Sequence, residues 1–152
     1  MPSGWRIDKP RRQAFSGEGA RRFGGRWNSP GVAVVYVSEH QSLAALEIFV
    51  HLQPLLPQDK YLANRVEWPA ALMEELPAKK LPTDWRASPP GPATMQIGDQ
   101  WVRAARSAVL AVPSAILPAE RNFLLNPAHP KFRQLRMHKP VEFTFDHRLI
   151  GR

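Results

Sequence analysis

The apolar positions of this chain fall into short runs separated by turn formers, and one run passes directly into another of different period. Val32-Ala33-Val34-Val35-Tyr36-Val37 is six apolar or aromatic residues in a row. It is too short for a buried helix and rich in β-branched side chains, which predicts a strand. Ser38-Glu39-His40-Gln41 follows, with Ser38 placed as a helix cap and Gln41 three residues on, the pattern of a capping box. The predicted helix continues through Leu43-Ala44-Ala45-Leu46-Glu47-Ile48-Phe49-Val50-His51-Leu52 and stops before Pro54. Upstream, Gly24-Gly25-Arg26-Trp27-Asn28-Ser29-Pro30-Gly31 is dense in turn formers and predicts a loop. Loop, strand and helix make one continuous unit carrying Arg26, Tyr36 and Glu47. Polar groups delivered by rigid elements beside a glycine-rich loop are a common way to build a site.

The remaining pattern is less regular. Trp5-Arg6-Ile7 predicts a short strand, followed by a basic loop up to residue 23. Tyr61 to Trp68 alternates as a strand and is stopped by Pro69. Ala70 to Leu76 predicts a short helix, and residues 77–93, with five prolines, a long loop that is either functional or mobile, or else a plain surface excursion. Gly98-Asp99 predicts a helix start with Asp99 as cap, running through Ala105. Ala108 to Val112, Phe123 to Leu125 and Val141 to Phe145 predict strands, and His129 to Leu135 a short helix. No βαβ rhythm connects these pieces. The expectation is an α+β fold, a single domain over residues 1–152 with mixed small sheets and flanking helices.

Length and composition narrow the function. A chain of 152 residues can bury one sizeable core. The absence of cysteine excludes disulfides and thiolate metal sites and fits a reducing compartment. No run approaches the roughly 20 apolar residues of a membrane span, and Met1 to Pro10 lacks the apolar core of a secretory signal. A cytoplasmic protein with no membrane partner is expected. The net charge of +8 favours acidic partners: nucleic acid, phosphorylated small molecules or an acidic protein. The basic clusters, Lys9 to Arg12 and Arg21-Arg22, are short, so a basic nucleic-acid-binding or RNA-cleaving module is an alternative resting on charge alone. The five histidines are scattered without metal-ligand spacing, and no metal is expected. Dinucleotide and P-loop fingerprints are absent, and Ser114 lacks the elbow of a hydrolase nucleophile.

Spacing alone leaves the central residues with two readings each. Arg26 is a surface arginine or a ligand for an anion. Tyr36 inside a strand is core or catalytic. Glu47 has apolar flanks, which suggest a buried carboxylate with a raised pKa. Yet His40, Ala44, Glu47 and His51 share one helical stripe, which suits a solvated face equally.

Taken together, Gly19-Ala20, Gly24 to Gly31, Val35-Tyr36-Val37-Ser38, Leu43 to Glu47, Val50-His51-Leu52, Leu81 to Trp85, Gly98-Asp99-Gln100-Trp101, Val112-Pro113-Ser114, Asn122 to His129 and Phe145 to Arg148 resemble the RES-domain toxins. That family is named for an arginine, a glutamate and a serine in that order. The resemblance runs over nearly the whole chain from about Trp5. It implies the toxin of a RES–Xre type II toxin–antitoxin pair, with a fold like that of ADP-ribosyltransferase toxins. It implies NAD as the substrate, cleaved by hydrolysis or, with inorganic phosphate as co-substrate, by phosphorolysis; the alternative is transfer of ADP-ribose to a protein. The implied partner is an antitoxin with a helix-turn-helix (Xre-like) domain, within a heteromer that can include a toxin homodimer, and DNA is touched only through it. The site positions carry over as Arg6 and Arg26 for the arginines, Tyr36 for the tyrosine, Glu47 for the glutamate and Ser114 for the serine. In this resemblance Arg26, Tyr36, Glu47 and Ser114 are catalytic, and Arg6, Arg26, Tyr36 and Ser114 bind NAD. Asn122 and Asn126 lie in a shared motif without an assigned role.

Overall fold

The computed structural model describes residues 1–10, 13–51 and 60–150. Among the described residues eight strands form one sheet: β1 (Ser3–Asp8), β2 (Val35–Ser38), β3 (Tyr61–Glu67), β4 (Met73–Glu75), β5 (Val109–Pro113), β6 (Arg121–Leu125), β7 (Arg136–Met137) and β8 (Val141–Phe143). Their order is β4-β5-β6-β2-β1-β3-β7, with β8 paired to β3. The β4–β5 pair is parallel and the other pairs are antiparallel. Among the described residues four α-helices accompany the sheet: α1 (Glu18–Phe23), α2 (Gln41–His51), α3 (Pro92–Ala104) and α4 (His147–Ile150). The class is α+β, as the pattern predicts. The short strands, expected as small sheets, are bonded into one.

Strand parity assigns the two faces. Tyr36 opposes Leu124, Ser38 opposes Asn122, and Leu110 and Val112 oppose the same two residues from β5. These side chains share a face, where Leu110, Val112 and Leu124 pack with Trp27, Val34 and Trp101 of α3. The other face buries Val35, Val37, Val66, Trp68, Val109, Ala111, Phe123 and Leu125. A third cluster joins Ile7, Tyr61, Ala63 and Phe145 to Ala44 of α2. The β1–β2 ladder consists of the single register pair Trp5–Ser38, so the sheet opens between these strands towards Asp8.

Several elements depart from the sequence expectation. Helix α3 begins at Pro92, directly after Gly91, rather than at residue 98. Proline suits the first helical position, and Asp99 lies mid-helix and caps nothing there. Ala70 to Leu76 is a 3-10 turn, Ala70–Leu72, followed by β4. Prolines at 69 and 77 leave too few residues to nucleate a helix, and pairing with β5 decides the rest. Residues 129–135 likewise hold only the 3-10 turn Phe132–Gln134. The basic segment before Gly24 contains α1, which had no sequence signal. Strand β2 starts at Val35 rather than Val32 and ends on Ser38, which therefore does not cap α2. The final strand ends at Phe143, and Phe145 packs into the core beyond it. The predicted helix end at Leu52, the turn at Pro54 and Pro57, and Arg11 and Arg12 lie outside the described residues.

Candidate active site

Helix α2 presents Glu47 to the sheet, not to solvent. Its exposed side carries Leu46 and Val50, at 39% and 52% exposure, while Leu43 and Ala44 are buried. The stripe through Ala44 and Glu47 is therefore the inward edge of the helix. Glu47 Oε1 accepts two hydrogen bonds, from Ser114 Oγ at 3.0 Å and from Asn122 Nδ2 at 2.7 Å. Glu47 Oε2 carries no bond among the described residues, so one oxygen is anchored and the other is presented.

Each anchor is itself oriented. Ser38 Oγ donates to Asn122 Oδ1 at 2.7 Å, and this fixes the carboxamide with its NH2 towards Glu47. Ser114 Oγ accepts the N–H groups of Ile116 and Leu117, both at 3.1 Å, while donating to Glu47. Ser114 is fully buried, so its hydroxyl holds the carboxylate and the turn after β5 rather than facing solvent. The expected pair Glu47 and Ser114 thus meets. Asn122 and Ser38, which carried no assigned role in the site, complete the network. Their signal was available: each is a polar residue directly flanking an apolar strand run, and such groups need partners once packed.

Arg26 arrives on the loop between α1 and β2. The loop is closed by bonds from Gly24 N to Ala20 O (2.8 Å) and from Gly31 N to Arg21 O (2.7 Å). Gly24 and Gly31 have φ of 76° and 101°, conformations that favour glycine. The carboxamide of Asn28, fully buried, plugs the ring by donating to the carbonyls of Ala20, Ser29 and Val32. The Tyr36 hydroxyl donates to Asn28 Oδ1 at 2.5 Å and accepts the N–H of Trp27 at 3.1 Å. Burial holds this phenol's pKa above its ordinary value, so it stays protonated and keeps donating. A Cβ at Gly25 would stand 2.8 Å from that hydroxyl, so the glycine makes room for it. From the opposite side Asp99 Oδ1 accepts the N–H of Ser29 at 2.9 Å. Tyr36 and Asp99 together clamp the loop between the sheet and α3, and the Tyr36 hydroxyl is committed to that clamp.

The Arg26 guanidinium leaves this loop and donates through Nη1 to the carbonyls of Trp85 and Ala87, both at 2.8 Å. The proline-rich segment is consequently anchored: Leu81 and Trp85 pack against the core cluster around Trp101. Partial burial, the largest influence, lowers the Arg26 pKa, Glu47 and Tyr36 oppose this, and the Arg86 charge adds to it. Arg26 thus feels the Glu47 carboxylate without a salt bridge between them among the described residues.

Arg6 is placed differently. By parity it sides with Gly4, which abuts Val37, rather than with Ile7 and α2. Its Nη1 donates to Tyr36 O at 3.2 Å and its Nη2 pairs with Asp8 at 3.0 Å, across the opening between β1 and β2. Its Nε is buried without a partner, and the residue lines a cleft of about 460 Å³ with Gly17, Arg22, Val34 and Val35. Arg6 therefore touches the back of Tyr36 but makes no hydrogen bond to Glu47, Ser114 or Arg26. Asn126 is a structural residue: it accepts the N–H of Ala128 and donates to Val102 O of α3. Among the described residues no three His, Cys, Asp or Glu side chains gather to hold a metal ion.

The RES domain family matches residues 3–146. The Prs ADP-ribosylating toxin of Sphingobium sp. (strain YBL2) is 40% identical over 154 residues, spanning 96% of this chain and 95% of that protein. Toxin Res of Photorhabdus laumondii is 39% identical over 138 residues, covering 90% of this chain and 88% of the relative. Toxin Res of Yersinia enterocolitica is 38% identical over 136 residues, covering 89% and 90%. The fold is similar to that of a chain in the crystal structure of the M. tuberculosis MbcT–MbcA toxin–antitoxin complex, with a TM-score of 0.77 over 93% of this chain and 84% of that one, at 22% identity. The chain belongs to the RES-domain family.

Proposed function

We propose that this protein is the toxin of a toxin–antitoxin pair and that it cleaves the nicotinamide–ribose bond of NAD. The observation that carries the reading is Glu47, with Oε1 held by Ser114 and Asn122 and Oε2 presented; its charge is felt at the Arg26 guanidinium. Nicotinamide in NAD is already a cationic leaving group and departs neutral with the bonding pair, so no strong acid is needed. The ribose carbon it leaves gains positive charge, as in glycoside cleavage. A fixed carboxylate beside the ribose stabilises that charge and accepts a bond from a ribose hydroxyl. Arg26 neutralises the diphosphate with planar donors. Arg6 stands at the opening between β1 and β2, on the other face from Glu47, and supports the site through its bond to the Tyr36 carbonyl. Tyr36 acts through the loop it clamps, and Ser114 through Glu47. Water or inorganic phosphate then adds at the ribose carbon, water surrendering a proton.

Transfer of ADP-ribose to a protein is the second reading, favoured by the likeness to the Sphingobium ADP-ribosylating toxin. The partner in either case is an antitoxin with an Xre-like helix-turn-helix domain, and the toxin acts in the cytoplasm. The test incubates partner-free protein with NAD, with and without phosphate, and separates the products. Release of nicotinamide by the wild type and its loss in Glu47→Gln, with the fold intact, is the expected result. ADP-ribose as co-product means hydrolysis, and its 1-phosphate means phosphorolysis. Undiminished NAD loss in Glu47→Gln refutes the assignment. NAD left intact, with labelled NAD marking a protein in cell lysate, selects the second reading.

A further inference from the structure

Arg26 and Arg86 are joined through one stretch of backbone, and no carboxylate neutralises either by direct contact among the described residues. Arg26 Nη1 grips the carbonyls of Trp85 and Ala87, the two residues that flank Arg86. Arg86 in turn donates only through Nε, to Ala115 O at 3.0 Å, next to the Ser114 that holds Glu47. Its two Nη groups carry no hydrogen bond among the described residues, and the side chain is exposed. The contrast is with Arg121, which reaches Glu39 and Glu75, and with Arg21, Arg106 and Arg148, each paired to a carboxylate. The fold anchors both through carbonyls of neighbouring backbone, and the Arg86 charge is felt at Arg26. Each guanidinium keeps nitrogens free of hydrogen bonds among the described residues.

We propose that Arg86 is a binding residue for the diphosphate of the nucleotide substrate, acting with Arg26 as a two-armed anion clamp. The inference rests on the NAD reading above for the ligand and goes beyond it by naming a residue on the proline-rich segment. A diphosphate offers two negative charges and several acceptor oxygens, more than one guanidinium satisfies, and two planar forks match it. The bonds of Arg26 and Arg86 to backbone carbonyls hold both forks in place before the ligand arrives, which reduces the ordering cost of binding. They also couple the clamp to the turn after Ser114, so phosphate contact and ribose chemistry share one frame.

The test compares wild type, Arg86→Gln and Arg86→Lys. Gln keeps a donor for Ala115 O without the charge; Lys keeps the charge without the fork. NAD turnover is followed at low and moderate salt, and calorimetry measures binding of ADP-ribose and of inorganic phosphate. For Arg86→Gln the KM for NAD and the Kd for ADP-ribose should both rise by about tenfold to a hundredfold, the range of a lost charge-assisted contact. The kcat should change far less and the melting temperature should stay put. Lys should recover part of the loss, and the salt dependence of KM should flatten in Arg86→Gln. Unchanged KM and ADP-ribose affinity in a folded Arg86→Gln overturn the inference. So does a loss confined to the KM for inorganic phosphate, which would place Arg86 at the acceptor. If the wild type leaves NAD intact yet binds ADP-ribose through Arg86, the catalytic reading falls and the clamp stands. If it binds no ADP-ribose, the clamp falls.

Discussion

Gly98→Ala is a substitution for which helix propensity and tertiary packing give opposite signs. Gly98 lies inside α3, and replacing an interior helical glycine by alanine ordinarily stabilises by up to ~1 kcal/mol. Here a Cβ at residue 98 would stand 1.6 Å from the Trp27 carbonyl oxygen and 2.7 Å from its carbon. Backbone is what it meets, so no side-chain rotation relieves the contact. Reaching even 3.0 Å requires the helix and the loop to part by about 1.4 Å. That movement stretches the adjacent bond from Ser29 N to Asp99 Oδ1, now 2.9 Å. Overpacking of this kind costs roughly 1–3 kcal/mol, and the weakened hydrogen bond roughly 0.5–1.5 more. The net expectation is a loss of about 1–3 kcal/mol after the propensity gain, or about 3–10 °C in melting temperature for a domain of this size. Arg26 sits one residue from Trp27, so NAD turnover should fall by more than the folded fraction does, up to about a hundredfold for a 1 Å displacement. The assay is a thermal melt followed by turnover well below the transition. A melting temperature equal to or above wild type would falsify the close-approach argument.

The other predictions concern the site's supports and its acid limb. Asn122→Ala frees Glu47 Oε1 of one anchor, and kcat for NAD loss should drop about tenfold to a hundredfold with KM little changed; Ser38→Ala, which unfixes the carboxamide, should give a smaller loss in the same direction. Asn122→Asp sets two carboxylates against each other, so its pH–rate profile should gain an ionisation above the ordinary carboxylate range, and an unchanged profile counts against the contact. Tyr36→Phe leaves the Trp27 N–H and the Asn28 Oδ1 without their partner and should cost about 1–3 kcal/mol in a denaturant melt. Glu39 has a lowered pKa: burial raises it, but hydrogen bonds and charge from Arg121 outweigh that, with a minor contribution from His40. A lowered folded-state value contributes stability above the unfolded pKa of about 4.3 that is lost as pH falls through the folded value. Glu39→Gln should therefore be less stable than wild type at pH 6, with the gap closing below about pH 4; a gap independent of pH contradicts the ion pair.

Much of the fold was legible because local signals and tertiary structure agreed. The apolar runs at 35–37, 61–67, 109–112 and 123–125 became strands, and the absence of βαβ rhythm gave the α+β class. The glycine-dense stretch at 24–31 became the loop that carries Arg26, because its backbone demands are local. Glu47 and Ser114 were identifiable through the family motif. What the pattern along the chain could not decide was which way a side chain faces and what it meets. Ser38 is a valid helix cap by spacing, yet strand pairing sets it opposite Asn122, a residue 84 positions away, and their mutual bond claims its hydroxyl. Asp99 looks like a cap for the same reason, and α3, begun at Pro92, turns it instead towards Ser29. The stripe through Glu47 was open between solvent and core until packing buried Ala44 and exposed Leu46 and Val50. Hydrophobic period and turn chemistry act over a few residues and are written in the sequence. The partners of Glu47, Arg26 and Tyr36 lie 67, 59 and 8 residues away, and the sheet brought the distant ones within hydrogen-bond reach.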